Sequence, residues 1–447
     1  MSVLFYDRFA TAFSLAFHII FASIGIALPA IIAIAEYNYI KRKDIYYRAL
    51  ANRLSIALAI LFAIGTASGT LVAIDLLALW PKFMSLVGEV AILPLFTEVF
   101  AFFGESILLG TYLYLRDRIK SDTIRFLLIS GVAFFAASSG VLITMINAFM
   151  NTPVGFNIDA YLQSNTIEAV NPLAAFDTPS TPIEEFHVIS TAYLSGSIIF
   201  LAYFAFMLNK NRMDKIKKQY YIRGVKIAFG VAFISLILAV ISGVLSIEML
   251  YHLQPEKYAA FELDIYSQAD APEVIFGYYN AATNSIKDAI IIPGLQSILA
   301  NGSVSAVVPG LDQFPKDTWP PLFVHDLFDA MVIIGFTLAS IYILALLLIV
   351  LKKISIDSKA MMYISIISAA LVVSLLEMGW VAAEVGRQPW IIYNVMTVNQ
   401  AANYSSSVIP IAIAIVVIYA ILLPFTIYIL KRVFSSRPIE KYIGEYR

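Results

Sequence analysis

Apolar runs long enough to cross a bilayer recur along this chain, at about 10–36, 53–79, 90–115, 125–150, 186–209, 225–250, 327–351, 359–384 and 406–430. A span needs roughly 20 mostly apolar residues. Inside hydrocarbon no water is present to satisfy backbone N–H and C=O groups, so each run must close its own hydrogen bonds as a helix. The sequence therefore predicts an all-α, polytopic membrane protein. Its nine transmembrane helices form a single membrane domain over residues 1–447. The composition agrees, with 60% hydrophobic and 14% charged residues, against about 25% charged in soluble domains. The first run has neither a basic segment before it nor a small-residue cleavage site after it, and reads as a retained helix.

Basic residues set the orientation. All but six (Arg8, Lys82, Lys257, Lys287, Lys316 and Arg387) of the 30 lysines and arginines fall in alternate connections or at the C-terminus. The N-terminus is expected outside and the C-terminus, including Arg447, in the cytoplasm. Two long connections, 151–185 and 251–325, then face outward, and ordered loops of that length are often functional. A net charge of −1 names no partner, and nucleic acid is not expected. The absence of cysteine excludes iron–sulfur clusters, thiolate-ligated haem and covalently attached haem.

The telling residues are polar ones at apolar depth. Glu377 and Glu384 stand seven residues apart near the end of the eighth run, as do Glu98 and Glu105 in the third. Seven residues fall about 20° short of two helical turns, so each pair shares one helix face. His18 lies in the first run, and His187 and Met331 lie near the outer ends of the fifth and seventh. A carboxylate within a membrane costs a few kcal/mol and usually marks a functional site. The plain alternative is a set of independent helix–helix hydrogen bonds. Convergence of these residues on one outer slab favours a shared site.

Imidazole, thioether and carboxylate at that depth suit haem iron. A His/Met pair gives a low-spin electron-transfer haem, whereas a lone His or carboxylate leaves an iron position open. With only four histidines (His18, His187, His252 and His325), the haem–copper oxidase pattern is excluded. No run carries two histidines, which excludes the paired-His cytochrome b pattern.

Several separated motifs then resemble subunit I of the cytochrome bd-type quinol oxidases, in order and over essentially the whole chain. They are Asp7-Arg8-Phe9 through His18; Gly65-Thr-Ala-Ser-Gly69; Pro94-Leu-Phe-Thr-Glu98 with Ala101-Phe-Phe-Gly-Glu105; and Asn147 with Pro153-Val-Gly155. Further along come Phe186-His187; Gln254-Pro-Glu-Lys257-Tyr-Ala-Ala-Phe-Glu262; Phe328-Asp-Ala-Met331; and Glu377-Met-Gly-Trp through Glu384-Val-Gly-Arg387-Gln-Pro-Trp390. The resemblance implies a cell-membrane quinol:oxygen oxidoreductase. In it His187 and Met331 would ligate a low-spin haem b. His18 and Glu384 would ligate the two high-spin haems, one haem b and the other haem d or a third haem b. Glu98 would sit at that pair as a further iron ligand or neighbour, and Glu105 on a proton route from the cytoplasm. Lys257 and Glu262 would contact quinol in an extracytoplasmic loop, 251–325. Arg387 reads as a propionate partner or a loop cap, Trp390 as part of the cofactor environment, and Glu377 as a proton-handling or packing carboxylate.

Electrons would run from quinol through the low-spin haem to the high-spin pair. Oxygen would become water there, with protons climbing from the cytoplasm, so turnover would be electrogenic without pumping. A second large subunit is the implied partner, with a small single-helix subunit as a possible addition. The alternatives are the same fold fed by a non-quinol donor, and a haem-free transporter. The chain departs from the family pattern at Asp329, where an arginine is usual, at the Glu98–Glu105 interval, one residue short, at Phe149 in place of tryptophan, and in its short loop.

Overall fold

The structure is a computed structural model and describes residues 2–116 and 118–444, so Arg447 lies outside the described residues. Among these, nine helices are long and apolar enough to span a membrane. They are α1 (Val3–Arg42), α2 (Ile45–Leu79), α3 (Ile92–Leu115), α4 (Asp122–Asn151), α5 (Thr181–Lys210), α6 (Lys215–Leu253), α7 (Val324–Val350), α8 (Lys359–Val385) and α9 (Val408–Ser436). Most are longer than the apolar runs. Polar first and last turns continue the helix beyond the hydrocarbon, where hydropathy gives no signal. His18 thus lies in the sixteenth position described for α1, about 22 Å from its start, deeper than the apolar run implies.

α1 is the hub, packing against α2, α4, α5 and α9. α5 approaches it closely at Gly196, which has no side chain. A Cβ there would lie 2.9 Å from the Ser23 carbonyl oxygen. α1 and α2 are joined at Lys43, which takes a left-handed conformation, and Asp44, which caps α2 by accepting from Tyr46 N–H at 3.1 Å. Arg223 of α6 donates to the same Asp44 at 2.6 Å.

At this end of the bundle one buried carboxylate ties four helices together. Glu36 Oε1 accepts from Tyr112 Oη at 2.7 Å and from Arg125 Nη2 at 2.8 Å. Arg48 Nε lies 3.6 Å from Glu36 Oε2, and Arg125 also donates to Asn52 Oδ1 at 2.6 Å. Glu36 and Tyr112 are fully buried and Arg125 nearly so. A buried charge of this kind is tolerated only with such partners.

The opposite end carries the long connections. Residues 254–323 form a folded cap: a short helix (Pro255–Phe261), strands β1 (Glu273–Ile275), β2 (Tyr278–Asn280), β3 (Ser285–Lys287) and β4 (Ile290–Ile292), and a second short helix (Leu295–Asn301). β1 pairs antiparallel with β4, and β2 with β3. Tyr258, Leu263, Val274, Val308 and Leu311 make its core with Phe328 of α7, and Phe261 stacks on Phe328 with ring centroids 5.1 Å apart. After α8, strands β5 (Trp390–Ile392) and β6 (Met396–Thr397) form a small hairpin. The expected all-α class holds for the membrane domain, with these short strands added outside it. The expected loop limits of 251 and 325 are corrected: His252 lies in the last turn of α6 and His325 in the first turn of α7.

Removing one member of a buried ion pair costs about 3–5 kcal/mol. Glu36→Gln should therefore lower the thermal midpoint of the detergent-solubilised complex by several degrees; an unchanged midpoint would show that the clamp contributes nothing.

Candidate functional site

His18 and His187 are held alike. His18 Nδ1 lies 2.9 Å from Ser68 Oγ of α2, and His187 Nδ1 lies 3.0 Å from Ser242 Oγ of α6. In both cases a glycine follows the serine. A Cβ on Gly69 would be 3.1 Å from His18 Cε1, and one on Gly243 would be 3.7 Å from His187 Cε1. The serine fixes the ring and leaves Nε2 as the nitrogen for a metal, the arrangement expected of an oriented imidazole ligand. Met331 has the same kind of neighbour: a Cβ on Gly379 of α8 would be 3.2 Å from its sulfur. His18, His187, Met331 and Glu384 are all half-buried although they stand within the helix bundle. Small residues opposite the donors and residual space beside them fit planar, iron-bearing groups.

On α3, Glu98 accepts from Ser139 Oγ of α4 at 2.5 Å, while Glu105 is buried within electrostatic reach of Glu98. On α8, Glu377 is half-buried and its Oε1 has no hydrogen-bond partner.

Glu384 belongs to a buried network. Its Oε1 accepts from Asn147 Nδ2 and its Oε2 from Arg387 Nη2, each at 2.6 Å. Arg387 Nη1 donates to Asn151 Oδ1 at 2.8 Å. Asn151 Nδ2 donates to Glu184 Oε1 at 2.9 Å and to Asn147 Oδ1 at 3.0 Å. Gln254 Nε2 donates to the Asn151 carbonyl at 3.0 Å. Arg387 is 2% exposed and from the loop after α8 it pairs with the Glu384 carboxylate. Trp390 is half-buried, with its Nε1 lacking a hydrogen-bond partner.

Lys257 joins this network from the cap. Its Nζ donates to the Ala383 carbonyl at 2.8 Å. Gly386 makes room, since a Cβ there would lie 2.6 Å from Phe261 Cε1 and 3.1 Å from Lys257 Cε. Burial and the neighbouring Arg387 push the Lys257 ammonium down to about 8, against the pull of Glu184 and Glu384.

Glu262, five residues on, faces elsewhere. Its charged neighbours are Glu273, Asp264 and Asp329, and burial among them raises its carboxyl well above the usual range. The structure thus brings Lys257 to Glu384 and Arg387, and Glu262 to a separate acidic cluster. Asp329, where arginine was expected, accepts from Phe276 N–H at 2.5 Å. That bond ties the β1–β2 turn to the helix bearing Met331, and arginine, which only donates, could not make it. Phe149, in the expected tryptophan position, is fully buried. His252 is exposed, with its ring against Tyr251.

Asn151, Glu184, Gln254, Asp264 and Glu273 carried no role in the sequence reading. Asn151 and Glu184 sit at helix ends, where polar residues read as caps, and only their convergence marks them.

Comparison with known proteins gives a consistent result. Residues 6–438 match the family model for cytochrome bd terminal oxidase subunit I. A protein of Bacillus subtilis (strain 168), provisionally named cytochrome bd menaquinol oxidase subunit I, is 35% identical over 431 residues, which is 96% of each chain. The cytochrome bd ubiquinol oxidase subunit 1 of the same organism is 29% identical over 90% of this chain and 86% of that one. The bd oxidase structure from Geobacillus thermodenitrificans aligns with a TM-score of 0.88 at 35% identity, covering 98% of this chain and 99% of that one.

The buried Lys257 has a testable thermodynamic sign. Its folded-state value of about 8 lies below the ordinary 10.5, so burial of its charge disfavours folding below about pH 8. That penalty fades as pH rises toward 10.5. Lys257→Met should therefore stabilise the fold at pH 7 by about 3 kcal/mol, seen as a raised thermal midpoint, and the advantage should shrink as pH rises from 8 to 10. A midpoint lowered at pH 7 would show that the ammonium stabilises the fold.

Proposed function

The chain belongs to the cytochrome bd terminal oxidase subunit I family, and we propose how its residues divide the work of quinol oxidation and oxygen reduction. It is a multi-pass protein of the cell membrane and a subunit of a haem-containing quinol oxidase, working with a second large subunit. In our reading the N-terminus and the cap over residues 254–323 lie on the outer side, and the C-terminus in the cytoplasm. A small single-helix subunit is a further partner.

His187 and Met331 hold a low-spin haem b at the outer ends of α5 and α7. His18 and Glu384, with Glu98 beside them, hold the high-spin pair, one haem b and the other haem d or a third haem b. Haem, when bound, supplies electron transfer and an iron at which dioxygen is reduced to water. The protein's part is to orient, charge-balance and deliver protons. Ser68 and Ser242 orient the two imidazoles. Arg387 and Asn147 hold the Glu384 carboxylate, and Arg387 offers a propionate-binding fork. Lys257 donates a hydrogen bond to a quinol oxygen, and Glu262 receives its proton on the outer side. Glu105 passes protons toward the high-spin pair from the cytoplasmic side, with Glu377 as a second acid near it. Turnover is then electrogenic without pumping.

The observation that carries this reading is the repeated cradle around the ligands: serine on Nδ1 of each histidine, and glycine opposite both histidines and the methionine.

His187→Ala should remove the low-spin band from the dithionite-reduced spectrum and leave the high-spin bands; a retained low-spin band rejects the ligand assignment. Lys257→Ala and Glu262→Ala should each cut quinol-driven oxygen uptake at least ten-fold while that spectrum keeps its bands. In proteoliposomes, substrate protons should disappear from the cytoplasmic face during turnover, and uptake from the outer face would overturn the proton route.

A further inference from the structure

Beneath the cap lies a second buried polar group that the roles above leave unused apart from Glu262. Glu262, Asp264 and Gln296 are 6%, 4% and 1% exposed. The Gln296 side chain lies beside both Glu262 and Asp264, and its Nε2 donates to Tyr258 Oη at 2.7 Å. Glu273, at the start of β1, is an electrostatic neighbour of Glu262 and Asp264 and is half-buried, so it lies nearest the outer surface. His325 closes the group from α7. It is fully buried, and its Nδ1 lies 2.7 Å from the Phe261 carbonyl, the partner of an Nδ1–H donor. Its Nε2 has no hydrogen-bond partner, although it ends 3.4 Å from Asp329 Oδ2. Asp264 Oδ2 and Glu273 Oε2 are likewise buried without partners. Four carboxylates, two bridging or flanking polar side chains (Gln296 and Tyr258) and one imidazole thus share a space with polar atoms left open. Asp326 and Tyr251 face the same group from α7 and α6. Carboxylates this close cannot all be ionised; they share protons.

We propose that Glu262, Asp264 and Glu273, bridged by Gln296 and backed by His325, form a proton-release relay from the quinol site to the outer face of the cap. This rests on the assignment of Lys257 and Glu262 to the quinol site. Oxidation of one quinol breaks two O–H bonds, sends two electrons to the haem chain and frees two protons. Glu262 receives these protons one at a time. Burial holds its carboxyl well above the usual range, so a proton taken there must be drained before the next is accepted. The neighbours are ordered for this. Burial raises Asp264 to about 8 and Glu273, nearer the surface, to about 7. Asp329 is no part of the relay; it anchors the β1–β2 turn through Phe276 N–H and so keeps Glu273 in place.

The test uses the intact complex carrying Glu273→Gln or Asp264→Asn, with Glu273→Asp as the conservative variant. Steady-state quinol oxidation is followed from pH 5 to 9. Oxygen uptake is also measured with ascorbate and a phenylenediamine dye, a donor whose electrons do not depend on the quinol site. The relay predicts a kcat for quinol lowered about ten-fold in both neutral variants, with KM within two-fold. It also predicts a displaced pH profile, recovery in Glu273→Asp, and dye-driven uptake unchanged. Quinol kcat and pH profile matching the unmodified complex in both neutral variants would overturn it. So would an equal loss with quinol and dye, which would mark a structural role. If the unmodified complex turns over with the dye and consumes no quinol, the quinol-site assignment fails and the relay falls with it.

Discussion

The arrangement of this protein depends on satisfying two acids and two bases buried where four helices end. Glu384, Glu184, Arg387 and Lys257 would each carry a large desolvation cost alone. Asn151 lets them coexist, because an amide donates from one atom and accepts at the other. It accepts from Arg387, donates to Glu184 and Asn147, and its backbone carbonyl accepts from Gln254. A hydrophobic residue there would leave Arg387 Nη1 without its acceptor, and a carboxylate would lose the bonds to Glu184 and Asn147. The ends of α4, α5 and α6 and the loop after α8 are fixed to one another by that side chain, and with them the position of Glu384.

The two ends of the bundle solve the same electrostatic problem for different purposes. At the Glu36 end, the carboxylate is enclosed by tyrosine and arginine donors. At the Asn151 end the acids are also set against arginine and lysine, whereas in the cap beyond it the charged neighbours of Glu262 are Glu273, Asp264 and Asp329. Opposite charges offset one another's desolvation, whereas carboxylates gathered together must share protons. α1 runs through both regions, so His18 is positioned by the rigid end as well as by Ser68.

Much of this was legible in the sequence. Hydropathy located all nine spans, because backbone satisfaction in hydrocarbon leaves the chain no other option. Ligand types at outer depth, and the order of the motifs, identified the candidates for holding iron. Three things were not legible. Lys257 and Glu262 read as one pair because they are close in sequence. In the fold the short helix and its end turn them toward separate clusters, one reaching Ala383 and the other facing Glu273. Asp264 and Glu273 do not stand out in the sequence, because only the folding of the hairpins and the Leu295–Asn301 helix over them removes water. The place of Asp329 was visible as a departure from the family, but its bond to a backbone N–H some fifty residues earlier in the chain was not.

That bond has a bearing on how damage to the cap would spread. The turn at Phe276 hangs from the same helix that presents Met331, two residues beyond Asp329. A protease cut or an antibody seated on the hairpins would pull on this tether and on α7 beneath it. Inactivation by such an agent would register at the thioether as well as at the cap, so loss of turnover after cleavage is not by itself a map of where the reductant docks.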